Sequence, residues 1–599
     1  MDDGALAFPH EREVTKLARR FRAGRRRGFV VCVGASEALR SRVEAALGAR
    51  LDGDASIAST AIHRGADDPW GVLLQARSGE AQVVSARLDD DVEDRALRSL
   101  DVRRELLQGE GVALLLWTSL GAMERVASLA PNLWSYRSDV AWFLSHEDIE
   151  TSVPVGTDEG PLGPSIEERL RRVEDELTWK RGQRTWLLID KAWLLHRFER
   201  HGEALATLDR VKPSLKTGSP EERTWRVTML AILRKQERIE DAREFVRSGR
   251  TRNAPKERVL ERIDVARLST EWRVAFSGLE QTLANAFRWE VNLVEGQLGP
   301  ACGRAATSLV ELGQLASAER WLHEALKTIR RRATDWWPIV TAYSEDLRAD
   351  IAWERLDAVA ALQHHQRSLQ LGERSGALDV QAEALEKIAK RYAELGLSSD
   401  TRVFREREQQ ARERLHSDPS PPASPDHLPE RPVDTPFVRL ERAVRDAEKA
   451  LDDARIDDAT TTLDACAAAW ADEDERYRSW RLFDRWQRAL ARHLVARGDD
   501  DRAIAGLLDA AEKLRDLPRT RLGALLALAK LPAGPSTASA REAAAQEVLS
   551  HALVAGALSL ERDARRALAP FARVRGDVGE ADFHEAEADR ITAALEPLP

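Results

Sequence analysis

Apolar residues along this chain change their rhythm near residue 150. Before that point, short runs rich in β-branched residues alternate with stretches of helical spacing. Gly28-Phe-Val-Val-Cys-Val33 is such a run, bounded by arginines and by Gly34. Glu37 to Leu51 follows, with Leu39, Val43, Ala46 and Leu47 at helical intervals. Val83 to Leu88 predicts a second strand and Asp94 to Leu107 a second long helix. Val112-Ala-Leu-Leu-Leu-Trp117 is continuously apolar, as a strand covered on both faces should be. Gly121 to Leu129 reads as helix and Val140 to Leu144 as a further strand. This alternation predicts a small α/β domain with a parallel sheet over residues 1–150.

Beyond it the rhythm is helical throughout. Val153 to Pro164 holds three prolines and three glycines, which marks residues 151–164 as a linker. Ser165-Ile-Glu-Glu168 has the form of a capping box and opens a helical region over 165–416. In Ala301 to Ile329, small residues at Ala305 and Ala306 precede Leu309, Gly313, Ala318, Leu322 and Ala325. That spacing describes two amphipathic helices joined by a tight turn, with Gly313 supplying the turn conformation. The pattern resembles a tetratricopeptide repeat, a helical hairpin of about 34 residues. Copies recur around Met229, where Glu237 replaces the turn glycine, at Leu385 to Gly396, at Leu490 to Ala510 and at Leu568 to Ala588. Weaker ones lie at Trp193 to Val211 and Leu347 to Ser368. One hairpin cannot bury its own apolar stripe, so the copies must stack. Seven prolines between Ser417 and Pro436 forbid continuous helix there, making 417–436 a second linker and 437–599 a second helical block. The predicted fold is therefore mostly α, a tetratricopeptide-like solenoid in two blocks behind a small α/β domain.

The first strand-to-helix junction carries the chemistry that such a sheet invites. Gly34-Ala-Ser-Glu-Ala-Leu39-Arg40-Ser41 matches the first glycine and the final hydroxyl of a phosphate-binding loop. Leu39 replaces its second glycine and Arg40 its lysine, and Asp89-Asp90-Asp91 after Leu88 is the only substitute for the acidic residue that such a site places at a strand end, reading better as a solvated turn. Leu100-Asp-Val-Arg-Arg-Glu-Leu, the Leu114-Leu-Leu-Trp strand and Ala130-Pro-Asn-Leu-Trp-Ser-Tyr-Arg137 together resemble the N-terminal module of the STAND group, signal-transduction ATPases with numerous domains. That resemblance implies ATP or GTP held by Gly34, Arg40 and Ser41. The helical and winged-helix subdomains of a full module of that group have no counterpart before the repeats.

Composition narrows the alternatives. A net charge of −9 over 599 residues gives no global field for nucleic acid, although Arg19, Arg20, Arg22, Arg25, Arg26 and Arg27 form a local basic run. With Phe21 alone interleaved, that run reads better as a solvated helix end beside a buried strand. Cys32, Cys302 and Cys466 are too dispersed for a zinc knuckle or a disulfide framework and fit a reducing, cytoplasmic setting. No apolar run approaches the roughly 18 residues that span a bilayer, and MDDGALAFPHEREV lacks a secretory layout. His364-His365 are adjacent on a helix and point about 100° apart, which disfavours a shared metal. Trp193, Trp225, Trp321 and Trp353 fall at helical repeat positions and are expected to fill the core.

With no hydrolase, zinc-protease or kinase motif present, a non-enzymatic scaffold, sensor or adaptor is the expectation. A protein or peptide partner would lie in a groove lined by the first helix of each hairpin. The positions of the family's carboxylate clamp read Gly303, Thr307, Glu386 and Lys390, so that clamp is not reproduced. Arg234, Lys235 and Lys390 are the cationic candidates for partner contact. The sequence sets no oligomeric state.

Overall fold

The structure is a computed structural model that describes residues 6–595 apart from 103–112, 154–165, 236–305, 331–336, 416–435 and several shorter stretches. By its internal contacts the chain forms two compact units. One comprises residues 1–157 with 389–403 and 591–599, the other 158–388 and 404–590.

The N-terminal region runs α1 (Phe8–Arg22), β1 (Gly28–Val33), α2 (Glu37–Leu51), β2 (Ser56–Ile62), α3 (Pro69–Arg77), β3 (Ala81–Leu88), α4 (Asp94–Val102), β4 (Ala113–Thr118), α5 (Leu120–Leu129), α6 (Pro131–Tyr136), β5 (Arg137–Trp142) and α7 (His146–Ser152). The strands form one parallel sheet in the order β2-β3-β4-β1-β5. Val30, Cys32, Leu115 and Trp117 pack with Val14, Leu17 and Phe21 of α1 and Val43 and Leu47 of α2. Cys32 is thus a small core residue, and Arg19 and Arg20 sit in the last turn of an amphipathic helix whose other face is buried.

Ser56-Ile-Ala-Ser-Thr-Ala-Ile62 is a strand that apolar patterning does not reveal, because it lies at the sheet edge and buries only Ile62. The strand expected at Val140 to Leu144 begins earlier, at Arg137, directly after the Pro-initiated α6. Of the helix expected over Asp94 to Leu107, α4 covers the part up to Val102; the remainder lies outside the described residues.

Beyond residue 165 every described element is helical. The helices are α8 (Ile166–Trp179), α9 (Arg184–Arg197), α10 (His201–Val211), α11 (Pro220–Lys235), α12 (Leu315–Arg330), α13 (Trp337–Glu354), α14 (Ala358–Ser375), α15 (Leu378–Glu394), α16 (Ser398–Leu415), α17 (Pro436–Asp452) and α18 (Ile456–Asp472). The chain continues with α19 (Trp480–Ala496), α20 (Asp500–Lys513), α21 (Pro518–Ala529), α22 (Ala538–Ala555), α23 (Leu558–Val574) and α24 (Val578–Leu595).

The hairpins are joined by one recurrent turn. Gly313, Gly376, Gly396, Gly498, Gly556 and Gly576 all have positive φ. At the first, the Gln314 N–H donates to the Leu309 carbonyl at 2.7 Å; Asp499 to Leu494, Ala557 to Ala552 and Asp577 to Ala572 repeat the bond. This is the closing bond of a Schellman cap, and it recurs because the same sequence pattern does. Leu356 (φ 65) and Ala454 (φ 57) occupy the equivalent place without glycine's freedom.

The second linker separates the helical blocks in sequence but not in packing. Ala306, Leu309, Leu322, Leu347 and Ile351 share one apolar core with Leu440, Leu463, Phe483, Leu507 and Leu568. A Cβ at Gly313 would lie 2.8 Å from Leu517 Cδ1 and 3.4 Å from Trp480 Cβ, so this glycine is needed for contact as well as for the turn. Beside it the Gln314 amide donates to the Arg478 carbonyl at 3.2 Å. Trp225, Trp321 and Trp353 are buried, as their repeat positions require, while Trp193 is half-buried.

The exposed Ala454 offers a direct check on the turn argument, since an L-residue in the left-handed region costs roughly 1–2 kcal/mol that glycine avoids. Ala454→Gly should raise stability by about 0.5–1 kcal/mol in thermal or denaturant unfolding, after subtracting glycine's greater unfolded-state entropy.

Candidate functional site

Two places in the molecule concentrate polar chemistry. The first is the carboxyl edge of the sheet. The connection leaving β1 runs outward to the far edge strand β2, whereas the one leaving β4 passes back over β1 to β5. Right-handed crossovers put those connections on opposite faces, so a crevice opens where β1 and β4 end. Ligands of open α/β sheets bind at such a crevice.

The residues there are already engaged with one another. The Gly34 N–H donates to the Thr118 carbonyl at 2.9 Å, and a Cβ on Gly34 would meet the Phe143 carbonyl oxygen at 2.6 Å. Arg40 is largely buried against the sheet; it contacts Glu37 at 2.5 Å, Glu44 at 3.7 Å and the Thr60 carbonyl at 3.4 Å. Ser41 is exposed on α2. Of the three residues expected to hold nucleotide, only Gly34 therefore lies at the crevice floor, and its amide is spent. Glu44 accepts from Ser59 at 2.7 Å and Ser85 at 2.6 Å, and Ser85 in turn accepts from the Trp117 indole at 2.9 Å. Those bonds dock α2 onto β2, β3 and β4. The Asp89-Asp90-Asp91 stretch is tied down too: Asp89 is held by Arg87 at 2.8 Å and His63 at 2.6 Å, and Ser119 donates to Asp90.

The second place is α13, whose sequence Ser344-Glu-Asp-Leu-Arg-Ala-Asp-Ile-Ala-Trp-Glu354 brings buried carboxylates into the helical stack. Each finds its partner on another helix. Tyr343 and Asp379 of α15 share the Arg197 guanidinium of α9, at 3.0 and 3.0 Å. Asp346 accepts from the fully buried His365 of α14 at 2.8 Å and pairs with Lys387 of α15, which also reaches Asp350 at 3.0 Å. Burial pushes the Asp346 carboxyl up, but the His365 hydrogen bond and the Lys387 charge outweigh it and hold the group below its usual range. His364 turns instead to Glu345 at 2.7 Å. The adjacent histidines thus serve two different carboxylates.

Glu354 ends the row. Its carboxylate accepts from the Thr520 backbone N–H at 3.0 Å and the Thr520 hydroxyl at 2.6 Å, with Arg481 at 3.5 Å. Thr520 lies in the first turn of α21, whose own N-cap residue Leu517 makes no side-chain cap. A residue of the first block therefore caps a helix of the second.

Of the cations expected to meet a partner, Lys390 is exposed on α15, and Arg234 and Lys235 belong to the last turn of α11, their side chains outside the described residues. One set went unnoticed in the sequence. Arg481, Arg485, Arg488 and Arg492 are spaced four, three and four residues apart on α19, the first helix of its hairpin. Their side chains are 37–46% exposed, each resting on a carboxylate: Glu354, Glu448, Asp484 and Asp452. Counting arginines with the period used for leucines would have found them.

No protein-family model matches the chain, and no curated protein matches it. Similar solved structures include a STAND protein with a tetratricopeptide repeat sensor from Pyrococcus horikoshii. It is 11% identical, with 98% of this chain and 97% of that one covered, at a TM-score of 0.26. Human IFIT1, solved as a dimer with m7Gppp-AAAA, is 12% identical, with 75% of this chain and all 100% of that one covered, at a TM-score of 0.21. Superpositions this loose align no residues, and the architecture stands on the chain's own geometry: a mostly helical protein, repeat-like beyond residue 165, with a five-stranded parallel sheet before it. Among the described residues, no helix is long and apolar enough to cross a membrane.

Because Glu354 satisfies two donors on α21, Glu354→Ala should cost about 2 kcal/mol or more, leaving the α21 N-terminus uncapped. Glu354→Gln keeps an acceptor and should cost clearly less; equal losses in chemical denaturation would refute the capping role.

Proposed function

We propose that the helical unit is a tetratricopeptide-type scaffold that binds a protein or peptide partner along the first helices of its hairpins. In this reading it is non-enzymatic, and the α/β domain couples partner binding to an effector in a cytoplasmic signalling assembly. The observation that carries the proposal is the arginine row of α19. Four guanidiniums on one helix face are part-exposed and held by side-chain carboxylates rather than by backbone. Carboxylates of an acidic partner segment offer the same bidentate chemistry and can exchange with the resident ones. The Arg485–Glu448 and Arg492–Asp452 pairs are solvent-accessible and contribute at most about 1 kcal/mol each, so this half of the row can be opened at little cost to the fold, while Arg481 and Arg488 rest on the buried Glu354 and Asp484.

A second reading, a nucleotide-responsive switch, draws support from the parallel sheet order and its crevice between β1 and β4. A third, binding of a nucleic-acid phosphate backbone, would use the same arginines.

The test is charge reversal at Arg485 and Arg492, which sit on Glu448 and Asp452. The double variant R485E/R492E should keep its thermal midpoint within about 3 °C yet lose its co-purifying protein partner from the native host. Retention of that partner would remove the arginine row from the binding surface. If the lost ligand is instead RNA or DNA whose affinity falls steeply with salt, the third reading replaces the first.

A further inference from the structure

The likeness of residues 1–150 to a nucleotide-binding module raises the question whether the crevice can take a phosphate. A phosphate at a strand-to-helix junction needs free backbone amides, a helix N-terminus open to an anion, and a cation reaching into the loop. Here the Gly34 amide is bonded to Thr118, and Leu39 packs into the core with Val43 and Leu47 where the loop would need a second glycine. Arg40 lies down on the sheet face. The residues present do not fit a triphosphate.

The N-terminus of α2 nevertheless has an anion on it. Glu37 is the first residue of that helix, and two guanidiniums converge on its carboxylate: Arg40 from the next turn at 2.5 Å and Arg87 from the end of β3 at 3.2 Å. Ser36, just before the helix, accepts from the Leu39 N–H at 3.4 Å. At the end of β4 the buried Thr118 hydroxyl has no partner among the described residues. This is the charge pattern of an anion cradle, with the anion supplied from within.

We infer that the Glu37 carboxylate occupies the anion position at the carboxyl edge of the sheet, so that the α/β domain does not take up magnesium-bound ATP or GTP. The Glu37 carboxyl is held below its usual range, chiefly by the hydrogen bond from Arg40 and despite partial burial, as expected of a group fixed in its ionised form. This inference stands apart from the scaffold reading, which makes no use of the crevice.

Calorimetric titration of the full-length chain tests it. The unaltered protein should give no binding heat with ATP or GTP and magnesium at up to about 1 mM nucleotide, and no rise in thermal midpoint. Glu37→Gln keeps the shape but removes the competing charge. It should bind pyrophosphate at least about tenfold more tightly than the unaltered protein, and the gain should shrink with salt. Micromolar affinity of the unaltered protein for ATP or GTP, weakened by Arg40→Ala, would overturn the inference. So would equal pyrophosphate affinity in the unaltered protein and Glu37→Gln.

Discussion

The helical stack depends on one constraint: among the described residues, α13 buries carboxylates of which only Glu345 finds a partner, Arg348, on the helix itself. The buried Glu345, Asp346 and Glu354 and the half-buried Asp350 accept from α14, α15, α19 and α21, and the Tyr343 phenol joins Arg197 of α9 to Asp379 of α15. An unpaired charge in such a place costs several kcal/mol, so α13 is stable only when its neighbours are in position. Apolar packing alone would let hairpins slide or stack in other registers. Each buried polar contact admits one arrangement, and those on α13 fix the first helical block internally and then join it to the second.

Specificity at that join does not come from charge alone. Gly313 lets a turn of the first block lie against Leu517 and Trp480, where a Cβ would have to displace the Leu517 Cδ1 methyl. Around it Trp470, Trp480, Phe483 and Trp486 form an aromatic group with ring centroids 4.9–6.1 Å apart. Large rigid rings supply burial, the glycine supplies closeness, and the Glu354 cap supplies direction. Residues before Ser417 and after Pro436 share one apolar core.

Much of this was legible from the sequence. The turn glycines Gly313, Gly396, Gly498 and Gly576 were readable because left-handed backbone at a fixed distance from Ala and Leu positions leaves few choices of residue. Strands β1 and β4 were readable because burial on both faces forces continuous apolar runs, and β3 from the shorter apolar pattern around Val83 and Val84. The edge strand β2 was not, since Ser, Ala and Thr at an edge resemble a loop. Nor could the sequence reveal that Glu354 meets Thr520 or that Glu37 meets Arg87, contacts far apart in the chain that only the packing of whole elements brings together. The motif-level match of Gly34, Arg40 and Ser41 named residues at the first strand-to-helix junction. It could not show that Arg40 already has partners.

If α13 does hold both helical blocks in one cooperative body, the covalent linker between them is dispensable once folding is complete. Cleavage at a protease site placed within residues 417–435, followed by size-exclusion chromatography at micromolar concentration, measures this directly. The two fragments should elute together at the volume of the intact chain and separate only under denaturing conditions. Fragments that part under native conditions would contradict it.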